Sequence, residues 1–135
     1  MNVHVAADDA AGATTAAASA ARHHAPVVII GAGFGGIAMA ITLKQEGMHD
    51  FIMLERGADV GGVWRDNSYP GAACDVVSRF YSYSFEQRHD WSAPFAPQGE
   101  ILDYIKECAE KYDIRRHIRF DTEVVSATFD EAGAQ

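Results

Sequence analysis

Val27-Val28-Ile29-Ile30-Gly31-Ala32-Gly33-Phe34-Gly35-Gly36 decides the fold class of this chain. Four β-branched residues in a row read as a buried strand, and the glycines that follow read as a turn into a helix. Gly31, Gly33 and Gly36 form GxGxxG, with the small residue Ala40 one helical turn later. Gly31 allows a tight turn out of the strand. Gly33 lacks a Cβ, so a pyrophosphate can approach the backbone. Gly36 lets the helix pack close to the sheet. Phosphate then sits at the helix N-terminus, where unpaired N–H groups and the helix dipole favour an anion. The next apolar run, Phe51-Ile52-Met53-Leu54, ends in Glu55, 19 residues after Gly36. A carboxylate about 20 residues beyond the fingerprint is placed to accept hydrogen bonds from a ribose. Strand, glycine turn, helix, strand and acid together make a βαβ dinucleotide-binding unit, and the fold class is α/β with a parallel sheet.

Bulk properties narrow the class. With 135 residues the chain suffices for one modest domain, and 48% hydrophobic residues supply a core. A formal net charge of −8 and a pI near 5.0 argue against a nucleic-acid surface. Cys74 and Cys108 form neither a CxxC nor a zinc spacing and are read as free thiols. His23-His24 has no neighbouring ligands and is read as solvated tail, so no metal is expected. No run reaches the roughly 18 apolar residues of a membrane span. Asp8 and Asp9 interrupt the Ala-rich N-terminus, which lacks a basic n-region, so a signal peptide is not expected and the cytoplasm is the default.

Along the chain, residues 1–25 are Ala, Thr, Ser, Asp and Gly with few large apolar groups, and are expected as a disordered tail. Residues 26–135 make up the ordered unit: strand 27–30, helix near 35–46 and strand 51–55. The stretch 56–97 is irregular, and its many aromatic residues suggest packing around a ligand. Ile101, Ile105, Cys108 and Tyr112, widened by Leu102 and Ala109, give an amphipathic helix near 99–112. Short strands are expected at 118–120 and 124–129, with a hairpin turn at 130–133. A turn without a returning strand suggests a longer protein that has been cut, so the sheet is expected as partial, with the start of a β-meander.

GxGxxG and a ribose acid fit NAD and FAD equally. A second glycine pair, Gly61-Gly62, follows Glu55 and leads into Val63-Trp64. The pair resembles one found in two-dinucleotide-binding flavoproteins, where it lets the backbone run beside the flavin side of the cofactor, and that resemblance implies FAD rather than a nicotinamide-only domain. The run from Gly61 through Trp64, Asn67, Tyr69-Pro70-Gly71 and Asp75 to Ser78 and Tyr81 resembles the N-terminal FAD domain of class B flavoprotein monooxygenases. It is most similar to the Baeyer–Villiger type, with the flavin-containing monooxygenases next, and the likeness runs from about Val27 to Phe129.

The resemblance implies an NADPH-dependent reaction in which a C4a-peroxyflavin oxygenates a ketone or a soft heteroatom, with the protein binding and orienting the cofactor. It implies a pyrophosphate cradle at Gly31, Gly33, Phe34 and Gly36, and ribose hydroxyls on Glu55. Gly62, Val63 and Trp64 would line the ribityl and flavin region. Asp75 would lie near the isoalloxazine ring, as the one catalytic candidate, with Tyr81 beside it. Val124 or Val125 would offer backbone groups to the adenine. Val63 stands where the family commonly has Thr or Ser. A second GxGxxG for NADPH and the FxGxxxHxxxW signature are absent from this sequence. The chain is therefore expected to be inactive alone. Two alternatives stay open: a related flavin reductase or oxidase, and a non-catalytic nucleotide-binding subunit that docks on a partner supplying the missing half.

Overall fold

The computed structural model describes residues 2–7, 25–129 and 131. Strand β1 is Asn2–Ala7, β2 is Val27–Ile30, helix α1 is Phe34–Gln45 and β3 is Phe51–Leu54. A four-residue helix α2, Val63–Asp66, precedes the long helix α3, Gln98–Lys111, and strands β4, Ile118–Arg119, and β5, Thr122–Thr128. Single 3₁₀ turns occupy Ser78–Phe80 and Arg115–His117.

β2, β3 and β4 form a parallel sheet in that order, pairing Val27 with Phe51 and Met53 with Ile118. The βαβ unit read from the glycine fingerprint is thus present. β2, however, is an edge strand: Ile29 is buried, while Val28 and Ile30 are 37% and 58% exposed. The apolar run is continuous because parallel strands are ordinarily covered on both faces, yet here only one face is packed. That face meets α1 and α3, where Ile37, Ile41, Met53, Ile101 and Ile105 are fully buried. Helix α3 buries Ile101, Tyr104, Ile105, Cys108 and Ala109, the i, i+3, i+4, i+7, i+8 pattern of a core-facing stripe. Tyr104 belongs to this stripe although its hydroxyl masks it in a purely apolar count. Cys74 and Cys108 are free and buried, and burial pushes the Cys108 thiol up to about 11.

The aromatic residues of 56–97 divide. Tyr83 is buried, with its ring centroid 4.4 Å from Phe34 and 5.5 Å from Tyr104. Its hydroxyl donates to the Phe34 carbonyl at 2.8 Å, and its N–H donates to the Tyr104 hydroxyl at 2.8 Å. Tyr83 therefore fills the core between α1 and α3, whereas Tyr69, Phe80 and Phe95 are exposed.

The tail expected over 1–25 needs correction at its start. Asn2–Ala7 is a strand, antiparallel to β5, with Asn2 opposite Thr128 and Ala7 opposite Thr122. Composition hides this because β5 supplies the hydrogen-bonding edge from the far end of the sequence, and two valines in six residues suffice for a ladder. Residues 8–24, including His23 and His24, and most of the hairpin turn expected at 130–133 lie outside the described residues. Among the described residues no helix is long and apolar enough to cross a membrane.

Candidate functional site

Two glycine turns meet at the C-terminal end of β2 and β3. In the first, Gly31 adopts φ 90°, and its N–H continues the parallel ladder by donating to the Leu54 carbonyl at 2.8 Å. A Cβ at Gly36 would overlap the Gly31 carbonyl oxygen, so the start of α1 can lie this close to the strand only with glycine there. Gly33 is the N-cap of α1. It provides no side-chain cap, and no acidic residue stands in the first helical turn. The first-turn N–H groups are orphans of the helix, and with no acidic side chain in their own turn they favour an external anion.

The second turn leans on the first. Gly61 N–H donates to the Ala32 carbonyl at 2.9 Å. Gly62 adopts φ 54°, and a Cβ on it would lie 2.9 Å from the Gly33 Cα. The two backbones are thus in direct contact, and α2 starts from this point. The short helix α2 carries no buried residue and was missed from the sequence, because four residues give no measurable period.

Glu55 closes the arrangement at the end of β3. It is only 4% exposed, and its carboxylate is met by three donors. Ala32 N–H donates to Oε2 at 2.7 Å, while Gly57 N–H and Arg65 Nη1 donate to Oε1 at 2.8 and 3.1 Å. Arg65 also contacts the Asp59 carbonyl and donates from Nε to Asp66 at 2.9 Å. Burial works against its charge, but the bonds to Asp66 and Glu55 outweigh this and hold the guanidinium above its usual pKa. Asp59 anchors the same loop to α3: despite burial, bonds from Arg115, Lys106 and the Val60 N–H lower its carboxyl to about 2.

A cavity of about 330 Å³ opens among these groups. Of the residues singled out in the sequence, Gly31, Gly33, Glu55, Gly62 and Val124 line it together. Arg56, Arg65, Asp66, Thr122 and Glu123 also line it and were not anticipated. For Thr122 and Glu123 the signal was their adjacency to Val124. For Arg65 there was no signal, because Glu55, the acid it meets, lies ten residues away and no spacing rule flags that pair.

Phe34, Gly36, Val63, Trp64, Asp75 and Tyr81 do not line the cavity. Phe34 packs its ring 4.9 Å from Tyr81, and Trp64 donates its indole N–H to the Tyr81 hydroxyl at 3.0 Å. These three make one aromatic group beside α1. Val63 is 65% exposed, and Asp75 is exposed on the loop after buried Cys74. The structure thus gathers Gly31, Gly33, Glu55, Gly62 and Val124 at one place, and leaves Asp75 on an open surface.

Comparison with known proteins adds an independent line. Residues 29–106 match the family model for an NAD(P)-binding Rossmann-like domain. A Baeyer-Villiger monooxygenase of Streptomyces coelicolor is 48% identical over 104 residues, covering 77% of this chain and 20% of that protein. A solved structure of an oxidized steroid monooxygenase bound to NADP superimposes with a TM-score of 0.74 at 46% identity, covering 79% of this chain and 21% of the other. An FAD-bound structure of OTEMO gives a TM-score of 0.74 at 39% identity, covering 80% and 21%. The chain spans about a fifth of the length of the curated relatives it matches.

Proposed function

Since the chain belongs to the NAD(P)-binding Rossmann-like domain family, we propose that residues 26–135 form the FAD-binding part of an NADPH-dependent flavin monooxygenase. The observation that carries this reading is the meeting of two glycine turns and one buried carboxylate around a single cavity. A nicotinamide-only site needs the first turn and the acid. The second turn sets Gly62 against the Gly33 backbone and leads into α2, where Trp64 bonds to Tyr81, and this added element beside the first turn suits the longer reach of a flavin dinucleotide. The chain's similarity to monooxygenases bound to FAD or NADP supports the same choice.

In this reading Gly31, Gly33, Phe34 and Gly36 present backbone to the pyrophosphate at the uncapped start of α1. Glu55 takes a ribose hydroxyl, and the Val124 backbone borders the adenine. Gly62, Val63 and Trp64 follow the ribityl chain, with Tyr81 and Asp75 toward the ring. FAD, when bound, supplies the redox and oxygen-transfer chemistry. These residues bind it, orient it and keep water from its pyrophosphate end. The whole protein would take NADPH as reductant and oxygenate a ketone or a soft heteroatom in the cytoplasm, while this chain alone holds cofactor without turning over.

The test is retention of flavin. The chain is purified with added FAD, desalted, and its visible spectrum recorded. Near-stoichiometric yellow protein supports the reading, and colourless folded protein overturns it. Glu55→Ala and Gly33→Val are each expected to abolish retention. A stoichiometrically yellow variant of either kind would remove that residue from the site.

A further inference from the structure

The Arg65 guanidinium lies against Gly57, at the spot a side chain there would occupy. A Cβ built on Gly57 would overlap Cζ, Nη1 and Nη2 together, and Gly57 has no positive φ that would otherwise demand glycine. Glycine stands here for space, and the space is filled by one charged group. That group reaches Glu55, Asp66 and the Asp59 carbonyl at once, and its side chain is 20% exposed.

The consequence for Glu55 can be counted. A carboxylate offers about four lone-pair sites. Oε1 receives two donors, Gly57 N–H and Arg65 Nη1, and Oε2 receives one, Ala32 N–H. One acceptor site remains, on Oε2, in a residue that lines the cavity. Without Arg65 the carboxylate would keep one backbone donor on each oxygen but lose its charged partner on Oε1. Arg65 also rides on α2, which begins at Gly62, so the second glycine turn and the ribose acid are joined through this single side chain.

We propose that Arg65, seated on Gly57, is the positioning residue for Glu55, holding the carboxylate so that its one unused acceptor faces a ribose hydroxyl of the bound nucleotide. This rests on the cofactor reading above. Arg65 lines the same cavity, but the proposed role is directed at Glu55. It acts through Glu55, and lysine cannot replace it because a single ammonium lacks the fork that meets Glu55, Asp66 and a carbonyl together.

The experiment titrates the chain with ADP and with 2′,3′-dideoxy-ADP, which keeps the phosphates and the base and lacks both hydroxyls. The unmodified chain is expected to prefer ADP by about tenfold, the scale of one hydrogen bond to a charged group. In Arg65→Ala, and in Arg65→Met, which keeps the stem packing, the ratio of the two affinities is expected to fall toward one, and this ratio is the readout because loss of a cation lining the cavity weakens both nucleotides alike. Gly57→Ala should do the same by evicting the guanidinium. The double variant Gly57→Ala/Arg65→Ala should be no worse than Arg65→Ala alone, since the two act as a unit. A preference for ADP that survives in folded Arg65→Ala and Arg65→Met overturns the proposal and leaves the cofactor reading standing. So does equal binding of the two nucleotides by the unmodified chain. Failure of that chain to bind either nucleotide sinks the cofactor reading, and this proposal with it.

Discussion

The two glycine turns of this protein face one another, but their glycines are required for different reasons. The first turn is constrained from within. Gly36 is packed against the Gly31 carbonyl, a contact made by backbone with backbone inside one βα unit. The second turn is constrained from outside. Gly62 lies against Gly33 of the other turn, and Gly57, just upstream, makes room for Arg65. The first turn is therefore a property of the strand and helix it joins, and would persist in any βαβ unit. The second exists only in relation to the first, and its geometry is that of the cavity. Damage to the first turn should cost the fold, while damage to the second should cost the ligand.

The largest effect tests that contrast directly. Gly36→Val forces a side chain into the Gly31 carbonyl, and neither backbone can retreat without separating α1 from β2. The expected loss is about 3 kcal/mol or more of stability, enough to remove the cooperative melting transition. A folded Gly36→Val chain with an unchanged melting curve would show that α1 can shift freely on the sheet. By contrast, Gly62→Ala is expected to keep a cooperative melting transition at a lowered temperature. Its φ of 54° with ψ −128° lies outside the left-handed helical region and adds roughly 1–3 kcal/mol, and the new methyl must push the turns apart at the 2.9 Å contact with Gly33. Retained flavin should fall at least tenfold, since a displacement of this kind loses on the order of 1.4 kcal/mol or more of binding. Gly31→Ala offers a control, because it has a similarly positive φ of 90° but nothing within 4 Å of its added methyl. If Gly62→Ala and Gly31→Ala lose flavin equally, conformation rather than contact governs the second turn.

The same difference decides what could be read from the sequence. The first turn was legible because its constraint is local. Gly31, Gly33, Gly36 and Glu55 stand at fixed offsets, and the strands and helix around them carry their own periodicity. The second turn was legible only through resemblance, since Gly61-Gly62 by itself is a common pair. Arg65 was not legible at all, because its role depends on a hole at Gly57 that exists only in three dimensions. Strand β1 was hidden for a related reason: its partner β5 lies more than a hundred residues away, and nothing within Asn2–Ala7 names that partner. The loop aromatics were read as ligand-packing as a group. The structure sends Tyr83 into the core between Phe34 and Tyr104 and leaves Phe80 81% exposed. Aromatic composition alone cannot separate those two fates.

A smaller effect is expected from acid. Asp59 ties the loop leading to the second turn to α3 through Lys106 and to the 3₁₀ turn at Arg115–His117 through Arg115. Its carboxyl is lowered from 3.8 to about 2 in the folded chain, by these bonds working against burial. A group whose pKa is depressed on folding stabilises the fold fully above its unfolded value and loses that contribution as pH falls toward the folded value. Stability should therefore decline between about pH 4 and pH 2. Asp59→Asn should remove that part of the decline and lower stability near neutrality. Melting curves at pH 7, 4 and 2.5 check it, and an Asp59→Asn chain with the parent's acid slope would assign the slope to other carboxylates.

The smallest expected effect separates packing from polarity beyond the second turn. Trp64 follows Gly62 on α2 and gives its indole N–H to the Tyr81 hydroxyl at 3.0 Å, with the rings edge to face at 5.6 Å. Tyr81→Phe keeps the ring contact and leaves the half-buried indole donor without its partner. The expected loss is about 1 kcal/mol, read as a small fall in melting temperature. If α2 is held mainly through Arg65, flavin retention should change less than threefold, because the helix keeps its anchor at Glu55 and the Asp59 carbonyl. If retention falls by tenfold or more, Trp64 is the firmer anchor, and the second turn is positioned from its flavin end rather than from its ribose end.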